Sequence, residues 1–241
     1  MKGLALALLL WQAGVWATGL PPYLLPGPWA VGQALVAHRG ELAPATALTG
    51  AATLIGLALG AGLGVALALM MAAWPRLGRA FAPLLIVSQS IPVFALAPIL
   101  TLWLGFGMAP KLAMVVLITF APVAQALHDG MRAMPTARAD LAQVMGASRR
   151  AVLWHLALPG ALPQLASGLR LAAVYAPLGA VIGEWMGGAQ GLGALMLHAN
   201  GRMKTDLMFA ALLVVIALAL LLQAVVNRGL QNALRRRGFE C

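Results

Sequence analysis

Hydrophobic residues in this chain fall in long unbroken tracts, without the 2.0- or 3.6-residue alternation that marks half-buried elements. With about 20 apolar residues per bilayer crossing, the tracts mark six spans, near 3–20, 47–73, 80–106, 111–128, 169–188 and 207–226. Charged residues gather between the tracts, so the pattern predicts an all-α integral membrane protein with six transmembrane helices. Four segments follow. Residues 1–20 form an N-terminal transmembrane helix, and 21–46 an external segment that opens rich in proline and glycine before a short amphipathic helix with Trp29, Leu35 and Val36. Residues 47–228 hold the remaining spans and a long loop at 129–168, and 229–241 form a basic tail.

The first tract also resembles a secretory signal, since Lys2 precedes LALALLLW and VWA at 15–17 looks like a cleavage site. The apolar length from Gly3 to Leu20 favours a retained helix over a cleaved one.

Composition sharpens this picture. Of 241 residues 62% are hydrophobic and 9% charged, against about 25% charged in soluble domains. The net charge of +10 does not point to nucleic acid, because the basic residues stand in short groups beside the spans with few aromatics to stack on bases. They orient the chain instead. With the N-terminus inside, the inner side holds Lys2, Arg76, Arg79, Arg132, Arg138, Arg149, Arg150, Arg170, Arg228, Arg235, Arg236 and Arg237, and the outer side Arg39, Lys111, Arg202 and Lys204. Both termini and the 129–168 loop are therefore expected in the cytoplasm.

The spans carry several distinctive positions. Gly56, Gly60 and Gly64 share one helix face, which allows close helix packing or, alternatively, lines a pore. The third span contains Pro83, Pro92 and Pro98 around Ser88, Gln89 and Ser90. Proline leaves carbonyls without partners in lipid, so this helix should face protein or a cavity. Two readings stand for the polar triplet: contact with a solute in a translocation path, or hydrogen bonds to adjacent helices. Tyr175 and Pro177 mark an irregular, path-facing stretch of the fifth span. Glu184 is the acid deepest in a span. It either shapes the outer end of the path or, the simpler reading, meets water and headgroups at the interface.

No GxxxxGK[ST] loop is present, so the chain shows no nucleotide site of its own. His38, His128, His155 and His198 lack metal-ligand spacing, and the one cysteine, Cys241, makes neither an internal disulfide nor a cysteine metal site. No metal and no catalytic residue is assigned.

The 129–168 loop is too polar to cross a membrane and too patterned for a linker. Thr136 is placed to cap a short helix with Leu141, Val144, Met145 and Ser148 on one face, ending at Gly146. Ser148 caps a second one, through Val152 and Leu156, that should stop before Pro159. The run Asp140-Leu141-Ala142, three residues, Gly146, nine residues, Leu156-Ala157-Leu158-Pro159 resembles the EAA signature of permeases from binding-protein-dependent ABC importers, with Asp140, Leu141 and Leu156 replacing its usual Glu, Ala and Ile.

That resemblance implies coupling helices that seat in a cleft of a separate ABC ATPase, through Asp140, Leu141, Ala142, Gly146, Leu156, Leu158 and Pro159. It also implies a bacterial inner-membrane homodimer fed by an extracytoplasmic binding protein. ATP and magnesium would belong to the ATPase, leaving this chain without a cofactor and without enzymatic activity of its own. LPPYLLPGPWAV, SQSIPVFALAPILTLWLGFG and GEWMGGAQGLGALM are similar to the sulfonate, taurine, nitrate and thiamine-precursor subgroup, and most like its hydroxymethylpyrimidine permeases. A small polar solute is implied, a pyrimidine thiamine precursor or a sulfonate-type compound, with Ser88, Gln89, Ser90, Tyr175 and Glu184 as candidate path residues. An ion-coupled secondary transporter is the alternative, although the span centres lack evident carboxylates and related halves.

Overall fold

A computed structural model describes residues 2–188 and 190–238, and every regular element among them is helical. In chain order these are α1 (Lys2–Thr18), α2 (Pro28–Ala37), α3 (Arg39–Ala73), α4 (Pro75–Ser90), α5 (Val93–Leu104) and α6 (Met108–Arg132). The loop holds α7 (Thr136–Val144), α8 (Arg149–Val152), a π turn (Leu153–Ala157) and α9 (Leu158–Gly160). The chain ends with α10 (Leu162–Gly187), α11 (Leu192–Gly201) and α12 (Thr205–Arg235). Cys241 lies outside the described residues.

Four of these helices, α3, α6, α10 and α12, are long and apolar enough to cross a bilayer unaided. The continuous third span expected at 80–106 is instead a helix pair, α4 and α5, bent by 96°. Pro92 explains the break. It offers no N–H to the helix ladder and forces the residue before it out of the helical region, and Ile91 is extended with φ −76° and ψ 124°. Pro83 and Pro98 lie inside α4 and α5 without ending them.

Helix α3 begins well before the expected boundary. Its 35 residues span about 52 Å, so part of it must project past a hydrocarbon layer of about 30 Å. Helix α12 likewise runs on into the basic segment that starts at residue 229. The 17-residue α1 is joined to the body by Trp11, which stacks on Phe209 of α12 with ring centroids 5.9 Å apart.

Helix α6 is the central element, packed most extensively against α10 and α3. In lipid no hydrophobic force draws helices together, so they associate where small residues let backbones approach and dispersion contacts accumulate. A Cβ added at Gly56 would lie 2.5 Å from the Val115 side chain, one at Gly60 would overlap the Thr119 hydroxyl, and one at Gly64 would sit 2.5 Å from the Phe120 carbonyl oxygen. The stripe is thus buried against α6 and is not a pore lining. From the other side, Gly168, Gly179 and Gly183 of α10 meet the α6 backbone at Pro122, Val115 and Lys111. Alanines 172, 173, 176 and 180 fill the seam between them.

Candidate functional site

In the loop, α7 buries no residue. Leu141 (62% exposed), Val144 (86%) and Met145 (79%) form an uncovered apolar ridge beside the exposed Asp140. Thr136 does not cap this helix. Pro135 occupies the cap position in an extended conformation, and its carbonyl accepts the Arg138 N–H at 3.0 Å. Gly146 closes the helix with φ +83°, the Gly146 N–H bonding to the Gln143 carbonyl and the Ala147 N–H to the Ala142 carbonyl, both at 2.9 Å. That pair of bonds is a Schellman motif, and its left-handed residue favours glycine. Ser148 caps α8 as expected, its Oγ accepting the Ala151 N–H at 3.2 Å.

Pro159 does not end the second helix. The chain widens into a π turn, in which the Leu158 N–H reaches back five residues to the Leu153 carbonyl. Helical geometry then continues through Pro159 at the start of α9. The wider register accommodates a residue that cannot serve the ordinary ladder. On either side of Pro159, Ala157 and Ala161 are buried with Leu127 and Met131 of α6, and Leu158 packs at the edge of the same cluster. The loop therefore has an unburied first helix and a second part rooted in the spanning bundle, with Leu156 still partly exposed.

The second constellation lies at the opposite end of the bundle. Glu184 is fully buried, which overturns its placement at a wet interface. Its Oε1 accepts the Thr49 hydroxyl at 2.8 Å and its Oε2 the Gly193 N–H at 2.7 Å. Lys111, expected in the outer loop, is buried too, and its Nζ stands 3.8 Å from Oε1 while donating to the Gln190 carbonyl at 2.6 Å. Thr49 also accepts the Leu192 N–H at 2.8 Å. One carboxylate thus ties α3, α6, α10 and the start of α11 together, with its charge met by an ammonium and two further donors. Gly191, at φ +119°, is moulded to it, because a Cβ there would overlap the carboxyl group. The glycines of GEWMGGAQGLG beside a lone acid were the available sign of this enclosure.

The remaining path candidates do not converge on Glu184. Ser88 donates to the Leu85 carbonyl at 2.7 Å, and Gln89 and Ser90 are exposed where α4 ends. Tyr175 is 38% exposed on a face of α10 shared with the exposed Gln164, Ser167, Leu171, Leu178 and Trp185. Trp185 stacks on Phe94 of α5, with centroids 6.3 Å apart and planes at 29°. No irregular stretch occurs there, since α10 runs unbroken through the buried Pro177. The large exposed side chains of α12, such as Ile216, Leu220 and Val225, are by contrast aliphatic, as a lipid-facing surface requires.

A bundle of apolar helices with a helical loop projecting from one end is the architecture of a multi-pass membrane protein. Residues 46–237 match the family described as binding-protein-dependent transport system inner membrane component. The chain is 46% identical over 215 residues, 89% of its length and 88% of the relative's, to a probable ABC transporter permease protein of Haemophilus influenzae. It is 36% identical over 94% of its length and 90% of the relative's to the formylaminopyrimidine transport permease protein ThiX of Halalkalibacterium halodurans. To the taurine transport system permease protein TauC of Escherichia coli it is 31% identical over 96% of its length and 86% of the relative's. Among solved structures, an amino acid ABC transporter matches in fold with TM-score 0.65 at 15% identity, covering 84% of this chain and 96% of that one. An inward-facing MetNI methionine ABC transporter matches with TM-score 0.63 at 19% identity, covering 80% and 94%. The chain belongs to this family and is a multi-pass inner-membrane permease of an ABC importer.

Proposed function

We propose that this permease passes a small planar nitrogen heterocycle of the pyrimidine type. One observation carries the choice: the exposed face of α10 and α5 presents the stacked Phe94–Trp185 pair with Tyr175, and the polar Ser88–Gln89–Ser90 triplet ends α4 only four residues before Phe94. Aromatic faces take flat rings by offset stacking, and the polar groups supply hydrogen bonds. The ThiX relative, named for formylaminopyrimidine transport, agrees with this reading. TauC, named for taurine, favours an aliphatic sulfonate instead.

On this reading two copies of the chain face each other across the α10 surface, both termini and the 133–161 loop lie in the cytoplasm, and α1 is a retained helix held by Trp11. An extracytoplasmic binding protein delivers the solute. A separate ATPase receives the ridge of Leu141, Val144 and Met145 in a cleft, with Asp140 at its edge and Ala142, Gly146, Leu156, Leu158 and Pro159 fixing its shape. Closure of that ATPase on ATP then moves the rooted half of the loop, and with it α6 and α10.

Uptake into proteoliposomes holding permease, ATPase and binding protein tests both levels. Formylaminopyrimidine is expected to be imported with ATP, and Trp185→Ala to reduce its uptake about tenfold while ATPase docking is retained. Import of taurine but no pyrimidine would select the sulfonate reading. Uptake driven by an ion gradient without ATP would restore the secondary-transporter alternative.

A further inference from the structure

A cavity of about 360 Å³ opens between the loop end of α3 and α8. Its lining is apolar on the α3 side and basic on the α8 side. Ala66, Leu69 and Met70 supply an apolar wall on the spanning helix. Trp74 stands just past the end of α3, and Trp154 flanks the opening from the loop. Arg149 and Arg150 complete the lining from α8, and both are exposed.

No carboxylate among the described residues pairs with either arginine, and the sole acid on the loop helices, Asp140, lies on α7. Two guanidinium groups, two tryptophans and an aliphatic wall in one cavity supply the chemistry that the phosphate, glycerol-ester and acyl parts of a phospholipid require. We propose that the cavity binds the headgroup of an anionic phospholipid, with Arg149 and Arg150 on the phosphate and one acyl chain along Ala66 and Met70. A lipid there bridges a spanning helix to the root of the coupling loop, so it steadies the element through which ATPase motion would pass. An acidic protein surface fits less well, because the apolar wall continues down a membrane helix where a soluble partner cannot follow. The choice of inner leaflet rests on the orientation proposed above, whereas the recognition chemistry does not.

The test uses the full-length permease in nanodiscs doped with brominated phosphatidylglycerol or, at equal mole fraction, brominated phosphatidylcholine. Trp74→Phe and Trp154→Phe variants isolate the signal of these two tryptophans from the others. Quenching of that signal is expected to be about twofold greater with the anionic lipid, and Arg149→Gln with Arg150→Gln should bring it down to the phosphatidylcholine level. Gel filtration and melting temperature should stay at wild-type values, since both arginines are exposed. Equal quenching by the two lipids would overturn the proposal, as would an unchanged preference in the double arginine variant. Displacement by inorganic phosphate at tens of millimolar would assign the site to a free anion instead. Loss of quenching once the ATPase is bound would make the cavity part of the protein interface. The preference should survive ATPase binding.

Discussion

Replacing Glu184 with leucine removes a group that joins four helices. The carboxylate is fully buried and holds Thr49 and Gly193 at 2.8 and 2.7 Å, with the Lys111 ammonium 3.8 Å away. Its loss leaves a buried cation without a counter-charge and two donors without an acceptor. Breaking a buried pair in this way costs about 3–5 kcal/mol, which for a chain of this size lowers the apparent melting temperature by on the order of 10 °C. The informative comparison is with the double variant Glu184→Leu, Lys111→Met, where both charges are gone and apolar groups of similar volume fill the space. It should melt above the single variant, because most of the penalty belongs to the stranded ammonium. Melting in detergent, followed by tryptophan fluorescence, reads both numbers. A single variant within about 2 °C of wild type, or a double variant that loses the sum of the two single losses, would refute the idea that this pair holds the bundle.

The glycine seam gives a matched pair of tests. Gly60→Leu should prevent stable folding, since even its Cβ overlaps Thr119, whereas Gly62→Leu on the open side of α3 should shift the melting temperature by no more than a few degrees. Comparable yields of the two in monodisperse form would show that α3 does not close on α6 as described. Gly146→Val meets no neighbour but must adopt φ +83°, a strain of about 1–3 kcal/mol confined to the loop. Co-purification with the ATPase should fall while the melting temperature of the permease alone holds. Wild-type co-purification would mean the turn is not needed for docking.

Much of this was legible in the residues. Long apolar tracts with clustered basic residues forced a helical membrane protein, and the Gly56–Gly60–Gly64 stripe announced a close helix contact, since spacing alone fixes which side chains share a face. Gly146 and Ser148 were readable for the same reason: a helix stop and a cap depend on their own backbone. Pro92 was noticed, but whether a proline kinks, breaks or is absorbed depends on what re-satisfies the freed carbonyls, and that is a tertiary matter. Pro177 is absorbed in α10, Pro159 is taken up by a π turn, and Pro92 alone divides its span. Glu184 misled because hydropathy locates an acid near a helix end without revealing that Lys111, Thr49 and the Gly193 backbone N–H close around it. Those partners lie up to 135 residues away in the chain.

The most direct measurement concerns the α7 ridge. Val144, 86% exposed on a helix that buries no residue, should tolerate aspartate without loss of membrane insertion or thermal stability. In proteoliposomes containing the binding protein and ATPase, Val144→Asp is expected to abolish ATPase co-purification and to lower ATP-driven uptake at least tenfold. Wild-type uptake by that variant, with the ATPase still bound, would contradict the assignment of this loop as the site where nucleotide-driven motion enters the membrane domain.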